Sequence, residues 1–141
     1  MTFMLPQPRP VDDADRPLVS AAIVARQRAY CPYSGFAVGA AVRSPQGQIY
    51  PGCNVENASY GLTTCAERVA VLNAVVGGAT AIEVIAVAAP GRATPCGACR
   101  QVLVEFGPAM RLLLVDPAEP ELVVELTLAD LLPGHFSLDA K

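Results

Sequence analysis

The segment that most constrains the fold is the apolar run at residues 81–89, in which Glu83 is the only charged residue. A strand without alternating polar positions is expected where helices cover both faces of a sheet. Residues on either side of the run repeat with helical spacing, at Val69, Leu72 and Val76 before it and at Leu103 and Phe106 after it. The run therefore predicts a buried strand in a layered α/β fold.

Periodicity and turn residues predict the element order αββαβαββα, with Asp15 as the N-cap of the first helix. This order indicates a three-layer α/β/α sandwich around a five-stranded mixed sheet. Helices are expected from residue 15 to just before Pro32, from Cys65 to the Gly77-Gly78 pair, from Cys96 onward and after Thr127. Strands are expected at residues 36–43, 48–55, 81–89, 110–115 and 121–126.

The length of 141 residues predicts one domain at residues 13–141, preceded by a Pro-rich arm at residues 1–12. The arm has no apolar core of the kind found in secretory signals, and no apolar stretch approaches the ~20 residues of a membrane span. The default location for such a chain is the cytoplasm.

Composition excludes several classes of protein. A hydrophobic content of 52% with only 16% charged residues is the opposite of the disorder signature. Lys141 is the only lysine and no basic run occurs, so a nucleic-acid partner is not expected. Five cysteines, an odd number at low density, do not suggest a disulfide scaffold, and metal binding or catalysis becomes the better explanation.

Cys96 and Cys99 form a C-x-x-C at the start of a predicted helix, where a spacing of three places both sulfurs on one face. Alone, the pair fits a redox dithiol as well as a metal site. Cys65 also opens a helix after a strand, and helices of this kind begin at the carboxyl edge of the sheet. Three thiolates suit Zn²⁺ and leave its fourth position open, which is typical of a catalytic site.

Two neighbours of Cys65 support a catalytic interpretation. Arg68 follows at i+3 on the same helix face, where a cation offsets the negative charge of three thiolates on one Zn²⁺. Glu67 is not needed as a ligand, and a free carboxylate beside the metal is what proton transfer from water requires. Without the cysteines, Arg68 would be interpreted as a solvated arginine and Glu67 as a helix-dipole partner.

At these residues the chain resembles the zinc nucleoside deaminases, specifically the small homotetrameric cytidine deaminases. The motifs are TCAER at residues 64–68 and PCGACRQ at residues 95–101, supported by CPYSGFAVGA at residues 31–40 and GCNVENA at residues 52–58. The likeness covers nearly the whole chain after the first dozen residues. It implies hydrolytic deamination of cytidine and 2′-deoxycytidine with release of ammonia, as in pyrimidine salvage.

The resemblance also implies residue roles. Cys65, Cys96 and Cys99 would bind one Zn²⁺ per subunit, and Glu67 would carry protons from water to the pyrimidine N3 and to the leaving ammonia. Substrate contacts would come from Phe36 on the pyrimidine, Asn54 and Glu56 on the ribose 3′-hydroxyl, the Ala66 carbonyl on the 4-amino group, and Tyr60 and Phe136 in pockets shared between subunits. Arg68 and Gln101 would support the site without contacting the metal.

The sequence also leaves alternative functions open. An aminonucleoside antibiotic deaminase of the blasticidin type shares both cysteine motifs, although the stretch at residues 54–57 argues against it. A nucleic-acid deaminase lacks its basic surface here. A zinc-stabilised binding module or a dithiol redox protein would leave Glu67 unexplained. Cys31 and Cys53 are expected to be spectator thiols, and His135 a loop residue outside the metal site.

Overall fold

Six strands form one mixed sheet in the computed structural model, which describes residues 3–138. The sheet order is β1-β6-β5-β4-β2-β3, and only the β4–β5 pair is parallel. The elements in chain order are β1 (Arg9–Pro10), α1 (Arg16–Arg26), β2 (Gly39–Arg43), β3 (Ile49–Cys53), α2 (Ala66–Val76), β4 (Val84–Ala88), α3 (Gly97–Phe106), β5 (Arg111–Val115), β6 (Leu122–Thr127) and α4 (Leu128–Leu131).

Helices cover both faces of the sheet, as the apolar run predicts. All five residues of β4 are buried. Ile85 and Val87 belong to a core cluster that includes residues of α2, α3 and α4, whereas Ala86 and Ala88 pack on the opposite face in a cluster that includes residues of α1. The predicted three-layer α/β/α sandwich is thus confirmed.

Strand directions bring the starts of α2 and α3 to one edge of the sheet. β2 is antiparallel to both β3 and β4, and β4 is parallel to β5, so β3, β4 and β5 point the same way. α2 follows β3 through a loop and α3 follows β4, so both helices begin near the carboxyl ends of these strands. The residues at the N-termini of α2 and α3 therefore lie close together at this edge of the sheet.

The sheet has a sixth strand that the sequence pattern did not predict. Arg9 and Pro10 pair antiparallel with Val123 and Leu122, which adds part of the Pro-rich arm to the free edge of β6. Two residues, one of them proline, carry no periodic signal, and proline is tolerated because it lies on an edge strand.

Two other elements are shorter than predicted. α1 ends at Arg26 because the next three amides bond to carbonyls three residues back, after which the Tyr30 amide bonds to Asn54 O. β2 begins at Gly39 rather than residue 36. The backbone just before it is bound by the Asn54 side chain, which donates to Phe36 O and accepts from the Val38 amide. The remaining helix and strand predictions hold within a few residues, including the Thr127 cap of α4.

Asp15 occupies the N-cap position of α1, but its side chain makes no capping hydrogen bond. Instead the carboxylate, in a residue only 3% exposed, accepts from Arg43 at 2.9 Å and from Arg111 at 2.8 Å. Arg111 also binds Glu125. Burial would raise the pKa of Asp15, but hydrogen bonds from Arg111 and Arg43 outweigh it and lower that pKa. Asp15 therefore joins the start of α1 to β2 and β5.

Replacing Asp15 by Asn is expected to destabilise the fold by about 2 kcal/mol at pH 7, because two arginines lose their shared anion. Since its pKa is lowered on folding, ionised Asp15 contributes fully above its unfolded pKa of about 3.9, and the contribution disappears as the pH falls through the folded pKa. Urea unfolding at pH 7 and below pH 4 should show the difference shrinking in acid. Asp13→Asn, a change in an exposed carboxylate, is the control, and an equal loss in both variants would contradict this role.

No helix within residues 3–138 combines the length and the apolar character needed to span a membrane.

Candidate active site

Three cysteine sulfurs lie together where α2 and α3 begin. Cys65 is the N-cap residue of α2 and Cys96 that of α3, while Cys99 lies in the first turn of α3 and is buried. The three Sγ atoms are all within 4.8 Å of one another, and Cys96 Sγ and Cys99 Sγ are 3.5 Å apart. The cluster can hold a metal ion, as the cysteine spacing predicts.

The electrostatics of the cluster favour a thiolate at Cys65. Hydrogen bonding from Cys99 and then from Arg68 lowers the pKa of Cys65 to about 5, although burial opposes this shift. The pKa of Cys99 is raised, first because its thiol donates to Cys65 and second because it is buried. Arg68 donates from Nη2 to Cys65 Sγ at 3.4 Å, which is the contact expected from the i+3 spacing. Its Nε is also buried and has no hydrogen-bond partner among residues 3–138.

The donor set fits zinc. Zn²⁺ accepts three or four cysteine sulfurs in tetrahedral geometry, and a set of three protein ligands leaves one position for water or substrate. Two helix N-termini and the Arg68 guanidinium supply positive charge to a group of three potential thiolates.

Glu67 lies beside this cluster with its side chain buried. The residue is 6% exposed, and its Oε2 is 3.6 Å from Cys99 Sγ. Burial raises the pKa of the Glu67 carboxyl, and the negative charge of Cys65 acts in the same direction. A raised pKa moves a carboxyl group toward the range in which it can both take up and return a proton, as general acid–base chemistry requires.

A cavity of about 340 Å³ opens in front of the sulfur cluster. Several of the residues expected to bind substrate line it together with the metal and proton-transfer groups; they are Phe36, Asn54, Glu56, Cys65, Ala66, Glu67 and Cys96. A volume of this size suits a small molecule such as a nucleoside.

Asn54 and Glu56 both line this cavity but differ in their hydrogen-bond partners. The Asn54 side chain is buried and bonds to the backbone of Phe36 and Val38. The Glu56 carboxylate accepts from the amides of Tyr33 and Ser34 and from the Ser34 hydroxyl. These bonds lower the pKa of Glu56, with the Ser34 side chain as the largest cause, so Glu56 presents a charged acceptor at the cavity.

Tyr60, Phe136 and Gln101 lie outside this cavity. Tyr60 is 77% exposed and lines a neighbouring cavity with Tyr33, their ring centroids 6.1 Å apart in an edge-on arrangement. Phe136 is 67% exposed, and its carbonyl accepts from Gln101 Nε2 at 3.1 Å. Within residues 3–138, no hydrogen bond joins Gln101 to the sulfur cluster. Gln101 instead connects α3 to the segment that follows α4.

Sequence reasoning gave no role to Ser34 or Arg100, although both are bonded to the walls of the site. Ser34 binds Glu56, and Arg100 donates to Pro95 O, Leu131 O and Thr94 Oγ1. The Pro-Tyr-Ser-Gly turn signals only the local bond in which Ser34 Oγ accepts the Phe36 amide, and not the bond to Glu56, which lies 22 residues away. Arg100 carries no such signal, because one acceptor lies 31 residues away in α4.

The remaining candidates stay apart from the sulfur cluster. Cys53 Sγ lies 3.5 Å from Arg28 O, and neither Cys53 nor Cys31 belongs to the metal-binding group. His135 is exposed in the chain after α4. Among the described residues, the only group of three or more His, Cys, Asp or Glu side chains arranged to hold a metal is Cys65, Cys96 and Cys99.

A mixed sheet between helix layers, with three cysteines and a buried glutamate at two helix N-termini, defines the class of zinc-dependent deaminases. The model of the cytidine and deoxycytidylate deaminase zinc-binding region matches residues 12–115. The chain belongs to this family of zinc-binding enzymes.

Known relatives agree over most of the chain. The cytidine deaminase of Sporosarcina psychrophila is 44% identical over 122 residues, which cover 85% of this chain and 89% of that protein. The cytidine deaminase of Mycobacterium tuberculosis strain H37Rv is 48% identical over 114 residues, covering 79% of this chain and 80% of that protein. The crystal structure of cytidine deaminase from Burkholderia pseudomallei superposes with a TM-score of 0.79 at 44% identity, covering 85% of this chain and 97% of that one.

Proposed function

We propose that the protein deaminates cytidine and 2′-deoxycytidine by hydrolysis, giving uridine and 2′-deoxyuridine with release of ammonia. The observation that carries this proposal is the position of Glu67, which is buried beside the three-cysteine cluster and lines the same cavity as Cys65 and Cys96. A structural zinc site is typically closed by four protein ligands, whereas here three sulfurs meet with a buried carboxyl beside them. Zinc-binding modules and redox dithiols are therefore weaker alternatives.

Each residue has a defined role in the proposed reaction. Cys65, Cys96 and Cys99 hold the zinc, which when bound lowers the pKa of water and so supplies a nucleophile at neutral pH. Glu67 takes one proton from the attacking water and gives it to N3 of the pyrimidine, and then takes a second proton, from the hydroxyl that the water leaves on C4, and gives it to the departing ammonia. Phe36 packs on the base, the Ala66 carbonyl accepts the 4-amino group, and Arg68 offsets the charge of the thiolates.

The cavity walls favour a nucleoside over a nucleotide. None of the described residues that line this cavity or the neighbouring one at Tyr60 is a lysine, arginine or histidine. Glu56 lines both cavities and adds a negative charge, which opposes a phosphate group. Asn54 and Glu56 instead suit the ribose 3′-hydroxyl, and a buried polar contact of this kind rejects analogues that lack the hydroxyl.

Zinc-loaded protein incubated with cytidine, 2′-deoxycytidine, 2′-deoxycytidine 5′-monophosphate and blasticidin S tests the proposal. Ammonia release and loss of cytosine absorbance are expected with the two nucleosides and not with the phosphate or the antibiotic. Turnover of blasticidin S alone would favour the antibiotic deaminase. No turnover of any of them by protein with a full complement of zinc would contradict the proposal.

We also propose that the enzyme is a cytoplasmic homotetramer acting in pyrimidine salvage, with pockets completed by Tyr60 and Phe136 of neighbouring subunits. The five cysteines are free, and unpaired cysteines are typical of the reducing conditions of that compartment. Support for association comes from an apolar groove between α1, β3 and α2, lined by residues that include Val24, Ala25, Pro51 and Val69. A second copy would cover it, because interfaces between identical subunits are enriched in apolar surface.

Val24→Glu is expected to reduce both the assembly and the activity, because Val24 is 55% exposed in this groove and a charge there opposes burial. Light scattering should show a shift from tetramer toward smaller species, with kcat/KM falling in parallel. The control is Ala118→Glu, in an exposed turn before β6. A fully active monomer would refute the shared pockets.

A further inference from the structure

The turn at residues 31–36 is folded tightly beside the cavity. The Gly35 amide donates to Cys31 O at 2.9 Å, and Gly35 adopts a φ of 68°, a left-handed conformation that favours glycine. The amides of Tyr33 and Ser34 both donate to Glu56 Oε1, at 2.9 and 3.1 Å. Two backbone amides of the turn thus bind one oxygen of the Glu56 carboxylate.

Ser34 adds a bond that the backbone cannot supply. Its hydroxyl donates to the other oxygen of the carboxylate, Glu56 Oε2, at 2.5 Å. The same Oγ accepts the Phe36 amide at 3.0 Å. One hydroxyl therefore joins a residue expected to hold the ribose to the residue expected to hold the base.

The chain of bonds continues through Asn54. Phe36 O accepts from Asn54 Nδ2 at 2.8 Å, and Asn54 Oδ1 accepts the Val38 amide at 2.9 Å. Glu56, Ser34, Phe36 and Asn54 form one continuous hydrogen-bonded wall. A charged carboxylate held by three donors loses little orientational freedom when substrate binds, which is the advantage of preorganisation.

We propose that Ser34 is a positioning residue that orients Glu56 toward the sugar hydroxyl and fixes the backbone of Phe36 beneath the base. This inference rests on the proposed nucleoside substrate. Ser34 takes no part in proton transfer, so its loss should weaken substrate binding and leave the chemical step almost unchanged.

Ser34→Ala is expected to raise KM for cytidine by about 10- to 100-fold, as the loss of a hydrogen bond to a charged group implies, with kcat changed by less than about twofold. Ser34→Thr keeps the hydroxyl and should recover most of the affinity. Thr80→Ala, the removal of an exposed hydroxyl between α2 and β4, is the control and should leave KM and kcat unchanged. Zinc content should be equal in all four proteins, and all four should remain folded at the assay temperature.

A substrate without the 3′-hydroxyl distinguishes the effect of Ser34 through Glu56 from its effect through the Phe36 backbone. With 3′-deoxycytidine, the Ser34→Ala penalty should shrink to about threefold or less, because Glu56 then has no hydroxyl to hold. An equal penalty on both substrates would overturn the action through Glu56. An unchanged KM for cytidine would overturn the whole inference.

Calorimetric binding of the product pair uridine and 3′-deoxyuridine repeats the comparison without catalysis. If the wild-type enzyme binds uridine but deaminates no nucleoside, the proposed reaction fails while the role of Ser34 is still measured. If the wild-type enzyme is active and Ser34→Ala binds uridine normally, the inference fails and the proposed reaction stands.

Discussion

Replacement of Glu67 by Gln is expected to reduce kcat for cytidine by about 10³-fold or more while zinc stays bound. Glu67 is the buried carboxyl beside the sulfur cluster, and glutamine fills nearly the same volume without being able to carry a proton. General acid–base groups contribute about 10²- to 10⁴-fold each, and Glu67 is proposed to act in more than one proton transfer. Steady-state kinetics with metal analysis of the same sample measures both effects.

The matched control is Glu105→Gln, the same change in an exposed residue of α3. That variant should keep its kcat within about twofold, since surface substitutions away from the site have small effects. An active Glu67→Gln enzyme would remove Glu67 from the mechanism. Loss of zinc from Glu67→Gln would instead assign Glu67 to the support of the metal group.

The metal group could be predicted from sequence because its parts are local. Cys96 and Cys99 are three residues apart on one helix, and Glu67 and Arg68 follow Cys65 within one turn. Only the meeting of the two helices is long-range, and the buried strand at residues 84–88 between them decides the topology that produces it. The spacing of the cysteines along the chain, together with the rule that helices begin at the carboxyl ends of parallel strands, was therefore sufficient to predict the metal-binding group.

Long-range pairings were not predictable in the same way. Asp15 has a helix-capping sequence context, yet its partner Arg111 lies 96 residues away, and nothing in the pattern selects Arg111 among the other arginines. Gln101 follows directly after a metal motif, but it bonds to the carbonyl of Phe136, 35 residues along the chain. Such contacts depend on how separate elements pack, which periodicity does not encode.

Gly52 controls the distance between β3 and the helix that carries Cys65 and Glu67. A Cβ at this position would lie 2.4 Å from Ala70 N and 2.6 Å from Ala66 O, both backbone atoms of α2. Real Cβ atoms do not approach backbone so closely, and neither atom belongs to a side chain that can rotate away. The close packing of β3 on α2 thus requires glycine, and the Ala66 carbonyl lies at this contact.

Gly52→Ala is accordingly expected to cost about 3 kcal/mol or more of folding stability, since overpacking against backbone forces the helix to move. For a domain of this size that is a fall of about 12 °C in melting temperature. The displacement falls at the start of α2, so kcat/KM should also drop because the Ala66 carbonyl and the Cys65 sulfur shift together. Calorimetry and cytidine kinetics measure the two losses.

Gly61→Ala is the control for this change, because a Cβ at Gly61 meets nothing within 4 Å and its backbone is not left-handed. That variant should melt within about 2 °C of the wild type. If Gly52→Ala also melted normally, β3 and α2 would have to separate without loss, and the spacing between them would not be what fixes the catalytic edge of the sheet. A stable but inactive Gly52→Ala enzyme would instead show that the position of Ala66 matters for catalysis more than for folding.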